Sequence, residues 1–161
     1  MEIKEEKTAK KKQRRFPWIS LAFLLMIVGF LAFITIPAYQ DYMKRGNWSK
    51  TNANIAPLKL AIGECLSDNE GKLTGCDDLG ELAKYGITAL PAANGIFSAV
   101  AIIKDNAAIR VVGSPNLGNC VIDFVPTVNK NYGTVTWEVT PRPHENGGDT
   151  LAKCHSYFFC E

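Results

Sequence analysis

From Trp18 to Ile36, nineteen consecutive residues carry no charge and are dominated by Leu, Ile, Phe, Ala and Val. As a helix this run is ~28 Å long, close to the ~30 Å hydrocarbon core of a bilayer. Pro37 at its exit predicts a kink and not an end. Residues 38–54 are polar with scattered large side chains: Tyr39, Tyr42, Met43 and Trp48. Ile55, Leu58, Ile62, Cys65 and Leu66 then recur at helical spacing, one face for packing. Gly46 and Pro57 predict local breaks, with Asn54 able to cap a restart that takes Pro57 in its first turn. Residues 67–91 are irregular and rich in Gly and Asp, with a short helical turn at 79–85. After Gly95 the pattern turns to strands: 96–103 and 107–112 around Lys104-Asp105-Asn106, then 120–125 and 134–140 around Asn129-Lys130-Asn131. A last short strand is expected over 153–160. The whole reads as α+β, one long N-terminal helix laid against a small antiparallel sheet.

The charge is unevenly placed, and this changes the picture. Of 18 Lys/Arg and 16 Asp/Glu, seven basic and three acidic residues fall in 1–38, so this arm carries +4. The remainder holds eleven basic and thirteen acidic residues, or −2, and gives no electrostatic case for nucleic-acid binding. Lys10, Lys11, Lys12, Arg14 and Arg15 crowd the near flank of the apolar run, against Lys44, Arg45 and Lys50 with Asp41 among them beyond it. The positive-inside rule leaves the N-terminus in the cytoplasm and everything after Ala38 outside. A buried soluble helix is disfavoured because so small a domain can hardly cover an apolar helix all round. A cleaved secretory signal is disfavoured because Ile36-Pro37-Ala38 is a poor cleavage site. Five cysteines agree with an oxidising compartment.

Specific residues then carry a resemblance. Phe16-Pro17-Trp18-Ile19-Ser20-Leu21, the apolar run, and Ile36-Pro37-Ala38-Tyr39-Gln40-Asp41-Tyr42 resemble the N-terminus of a type IV pilin, in spacing as well as in residues. Pro57-Leu58-Lys59-Leu60-Ala61-Ile62-Gly63-Glu64-Cys65, Gly118-Asn119-Cys120-Val121 and Thr134-Val135-Thr136-Trp137 resemble stretches of bacterial pilin heads more loosely. The resemblance implies a hydrophobic helix whose outer half packs on a four- or five-stranded antiparallel sheet. It also implies a structural role, because pilins bundle their apolar helices into a filament core. Such filaments are linked to adhesion, twitching and DNA uptake.

Two departures bear on function. Type IV prepilins are cut after a glycine that directly precedes the phenylalanine, and before Phe16 stands Arg15. The mature family helix carries a glutamate four residues after that phenylalanine, and here the position is Ser20. That acid pairs with a neighbour's free amine inside an apolar bundle, where an unpaired charge costs several kcal/mol. Ser20 cannot neutralise one. With the leader retained, each Lys or Arg taken to the middle of a membrane-like core costs ~2.5–3.5 kcal/mol on insertion scales. An uncut chain is therefore expected to remain a single-pass anchor.

Cys65 and Cys76 enclose ten residues, and a bridge between them ties the helix end to the following loop. Cys120, Cys154 and Cys160 remain, with either Cys154–Cys160 or Cys120 paired to one of them; the odd thiol is left open between burial and a link between chains. Where the family often has a cysteine two residues after the tryptophan, this chain has Val139. Cys154, His155, Cys160 and His144 match no strong zinc spacing, so no metal and no cofactor are expected. Trp137 reads as core, and Glu64 with Asp68 as a solvated helix face. No Ser/His/Asp set or phosphate loop stands out, and no enzymatic activity is expected.

The expected organisation is a basic cytoplasmic leader over 1–15, a transmembrane helix over 16–37, and a periplasmic head over 38–161. The expected function is a minor or accessory pilin-like component held in the inner membrane. Its expected partners are the membrane, other pilins or the pilus assembly platform, with a homo-oligomer allowed. The alternative is a membrane-tethered binding or regulatory module that never enters a fibre, its site in the loops 67–94 and 141–153.

Overall fold

The computed structural model describes residues 18–129, 133–144 and 147–158. The chain divides into two compact units, Met1–Ala38 and Tyr39–Glu161. Its elements are α1 (Trp18–Asp68), a short α2 (Leu79–Leu82), β1 (Phe97–Ile103), β2 (Ala108–Gly113), β3 (Val121–Asn129), β4 (Thr134–Arg142) and α3 (Leu151–Ser156). The strands form one antiparallel sheet in the order β1-β2-β3-β4.

In the second unit, Trp48, Thr51, Ile55, Leu58, Ile62, Cys65 and Leu66 form the buried stripe of α1. Three- and four-residue spacing puts them on one face. They meet Val100, Ile109, Val111, Ile122 and Phe124 from the inner face of the sheet. Period-two alternation sends Arg110 and Asp123 to the other face, directly opposite each other on β2 and β3. Trp48 is fully buried, and its indole N–H donates to the Leu117 carbonyl at 3.3 Å. This ties α1 to the β2–β3 connection while satisfying the one polar atom the ring carries.

Three expectations are corrected. No break interrupts α1 at Gly46 or Pro57, and Asn54 caps no restart, because the helix runs unbroken to Asp68. Pro57 and Ala53, whose carbonyl loses its partner to the missing N–H, are both exposed, so water can satisfy the orphan. The stripe on the opposite face holds the helix together there. The C-terminal stretch expected as a strand is instead α3, capped by Thr150, whose hydroxyl accepts from the Lys153 N–H at 3.3 Å. Trp137, expected in the core, lies on the inner side of β4 and packs against the core cluster, partly buried because β4 is an edge. The β3–β4 hairpin is also longer than the pattern indicated, because Val128 pairs with Val135 beyond the last strongly apolar run.

Candidate functional site

In the first unit the described residues are all helical, and Trp18 and the large apolar side chains from Leu21 to Ile36 are exposed: Trp18 is 81% exposed, Phe33 80% and Met26 71%. The segment is long and apolar enough to cross a membrane. Thr35 returns its hydroxyl to the Leu31 carbonyl at 2.9 Å, which removes its polar demand on the surroundings. Ser20 is exposed on this apolar segment and brings no charge to it. Arg15 and Phe16 lie outside the described residues.

The head presents a clamp that joins its C-terminal segment to the outer part of α1. Asp149 is its centre. Its Oδ2 accepts from the Lys44 ammonium at 2.7 Å and from the Tyr157 hydroxyl. Lys153 lies 3.2 Å from Asp41 and 3.9 Å from Asp149. Burial pushes the Asp149 carboxyl up, but the Lys44 and Tyr157 hydrogen bonds and the two lysine charges outweigh it, so it titrates below its ordinary range. Burial and the same carboxylate raise the Tyr157 hydroxyl, which stays a donor. The approach is close. Gly118 sits at φ +73°, and a Cβ there would collide with the Asp149 carboxylate, while one at Gly148 would come within 2.6 Å of the Asn119 carbonyl. The Asp149 N–H donates to the Gly118 carbonyl at 2.9 Å.

Cysteine bonds reinforce the clamp. Cys120 is bridged to Cys154, and Cys65 to Cys76, with Cα–Cα distances of 5.8 Å in both. Cys160 lies outside the described residues. Cys154 is thus spent in a bridge and offers no thiolate beside His155. Among the described residues no group of three or more His, Cys, Asp or Glu gathers that could hold a metal ion.

Two further charged sites were missed in the sequence. Asp123 is almost wholly buried on the outer face of the sheet, where Arg110 holds both its oxygens at 2.7 and 2.8 Å and Arg142 adds a bond at 3.0 Å. Burial raises this carboxyl, and the two guanidinium groups more than reverse it, so it too titrates low. A lone charge inside the apolar run Val121-Ile122-Asp123-Phe124-Val125 was the visible signal. The other site is Lys59, whose ammonium lies 3.9 Å from the centre of the Phe124 ring and 5.5 Å from that of Trp137. It also donates to Asn52 Oδ1 at 2.7 Å. Burial lowers its pKa to about 8. Lys59 and Trp137 line a shallow groove with Leu60, Gly63, Glu64 and Val135. Glu64 and Asp68 are both exposed, and Asp68 accepts from the Tyr85 hydroxyl at 3.0 Å. Of the loops proposed for a binding site, the first contributes Ser67, Glu70 and Gly71 to a neighbouring hollow against Val128.

No family model matches the chain, and no solved structure matches it. Curated proteins do. The chain is 39% identical over 64 residues to the type IV major fimbrial protein FimA of Dichelobacter nodosus, covering 39% of this chain and 41% of that protein. It is 26% identical over 126 residues to the prepilin peptidase-dependent protein D of Escherichia coli, covering 78% and 81%. It is 25% identical over 138 residues to a fimbrial protein of Pseudomonas aeruginosa, covering 83% and 90%. The chain thus spans about two fifths of the first of these relatives and most of the other two.

Proposed function

We propose that this chain, type IV pilin-like in its curated relatives and in its helix-on-sheet fold, is a minor or accessory structural component of pilus assembly, anchored in the bacterial inner membrane. Residues 1–15 form a basic leader on the cytoplasmic side, 16–37 the span, and 38–161 a periplasmic head. The observation that carries the accessory role is Ser20, uncharged on an apolar helix where the family pattern has an acid. A filament subunit brings its N-terminal amine into an apolar bundle, and that charge needs a carboxylate. With Arg15 in place of the cleavage-site glycine, the leader stays attached and its charges keep the chain in the membrane.

The reading leaves the head free to contact other pilins or the assembly platform while the span holds it at the membrane. Shearing of surface filaments from cells expressing the chain tests it. The expected result is a chain that pellets with inner membranes and is scarce in the sheared fraction. Recovery in filaments at the level of the main subunit overturns the accessory role. Its complete absence from filaments, together with pili that assemble normally without it, favours a tethered module with a pilin fold.

A further inference from the structure

Among the described residues, the partly buried Lys and Arg side chains are Lys44, Lys59 and Arg110. Lys44 pairs with Asp149 and Arg110 with Asp123, each at 2.7 Å. Lys59 breaks this pattern. Its ammonium lies over the Phe124 ring and donates to the Asn52 side-chain carbonyl at 2.7 Å, and it pairs with no carboxylate of the described residues. Burial alone moves its pKa, down to about 8, and no neighbouring acid draws it back. An ammonium carries three donors, of which Asn52 takes one. A desolvated cation with a neutral partner and donors to spare is complementary to an anion.

The groove beside Lys59 decides which anion fits. Its volume of about 460 Å³ suits a small molecule. One wall is the partly exposed indole of Trp137 with Val135, and the other is α1, with Leu60 and then Glu64 just over a turn beyond Lys59. A second hollow continues from it, sharing Ser67, Gly133 and Val135 and reaching Glu70. From Lys59 to Glu70 the helix rises ~16 Å, longer than one sugar ring. Charge along this line is ordered, with the cation at one end and the carboxylates further on.

We infer that the groove binds an acidic sugar joined to a neutral one, with the uronate carboxylate on Lys59, its ring against Trp137, and the neutral sugar's hydroxyls toward Glu64 and Glu70. The C–H face of such a ring meets the negative face of the indole. Hydroxyl groups donate, and the two glutamates can only accept. An aromatic acid offers Glu64 no donor, and a phosphate brings a second negative charge toward it. A chain with an acid on every unit sets a carboxylate against Glu64 or Glu70. Residues 39–161 carry a net charge of −2 and give no general attraction for polyanions, so recognition rests on Lys59. The site is independent of whether the leader is cut.

The test uses the full chain, isotope-labelled in detergent micelles, and follows the Trp137 indole N–H signal, identified by its loss in Trp137→Phe. The probe is the disaccharide of glucuronate and N-acetylglucosamine. The expected result is a saturable shift of the Trp137 signal, while the signal of Trp48, buried and bonded to the Leu117 carbonyl, stays still and reports a folded head. Lys59→Met weakens binding roughly tenfold or more, as for the loss of one charge-assisted hydrogen-bonded contact. The methyl ester of the disaccharide puts the same question without a variant and loses affinity to the same extent. Digalacturonate, acidic on both units, binds more weakly than the disaccharide. The inference is overturned by the absence of a saturable shift, by equal affinity for the ester, or by undiminished binding in Lys59→Met. Digalacturonate, benzoate or phenylalanine binding as tightly as the disaccharide overturns it too.

Discussion

Lys44 on α1 and Asp149 on the C-terminal segment are 105 residues apart in sequence, and their charged atoms meet at 2.7 Å with only about a fifth of each side chain exposed. Tyr157 completes the contact by donating to the same carboxylate oxygen. Asp149→Asn should therefore destabilise the head by ~1–3 kcal/mol, the range for removing one partner of a partly buried hydrogen-bonded group. Urea unfolding of wild type and variant at neutral pH measures it, and a difference near zero would mean that the clamp is ornamental.

Acid should loosen the head through two carboxylates. Asp149 and Asp123 both titrate below their ordinary range in the folded chain. Such groups stabilise the fold above the unfolded pKa of about 4, and that stability is lost as pH falls through the folded values. Stability measured from pH 6 down to pH 2 should drop, and Asp149→Asn should remove part of the drop. A flat profile would contradict the assignment.

The arginines at Asp123 are not equivalent. Arg110 gives two parallel bonds and Arg142 one, and Arg142 is the more exposed, at 53% against 37%. Arg110→Ala is expected to cost roughly 1–3 kcal/mol and Arg142→Ala under about 1 kcal/mol. Equal losses would mean that the carboxylate is held by charge alone and not by bidentate geometry.

Lys59 should behave unlike the other lysines. Its pKa of about 8 lies below the unfolded value near 10.4, so between those values the unfolded chain binds the extra proton and stability rises with pH. Acylation by a small amine-reactive reagent should follow a midpoint near 8 at this residue. Lys59→Met should flatten the rise in stability between pH 8 and 10. A midpoint above 10 would show that the ammonium is better solvated than its place between Phe124 and Trp137 indicates.

The two disulfides close loops of different length, with sequence separations of 11 and 34. In the chain-entropy model they contribute about 3 and about 4 kcal/mol. Replacing Cys120 and Cys154 together by Ser should thus cost more than replacing Cys65 and Cys76, and it should also free α3 and weaken the Asp149 clamp. Denaturant unfolding of the two double variants gives the order directly.

Much of this architecture was legible in the sequence, for identifiable reasons. The apolar run to Ile36 is an unbroken stretch without charge and the Ile55, Leu58, Ile62 stripe is periodic, and both signals are local. The β1–β2 hairpin announced itself through Lys104-Asp105-Asn106, where Asp105 takes a positive φ and Asn106 Oδ1 accepts from the Ala108 N–H. What escaped was tertiary. Local propensity predicted breaks at Gly46 and Pro57, but packing on the far face of α1 overrode it. The C-terminal stretch expected as a strand folds as α3 behind Thr150, whose capping bond from the Lys153 N–H forms only in the folded chain. The Lys44–Asp149 pair could not be read at all, because nothing in either stretch specifies a partner so distant. The pairing of Cys120 with Cys154 was left among several choices for the same reason.

The proposed accessory role requires the basic leader to remain joined to the apolar helix, and the intact mass of the membrane-extracted protein decides whether it does. The measurement is made in cells with and without prepilin peptidase. The expected mass is the same full-length value in both, with Arg15 uncut ahead of Phe16. Loss of residues 1–15 only where the peptidase is present would contradict it and make the chain an ordinary filament subunit.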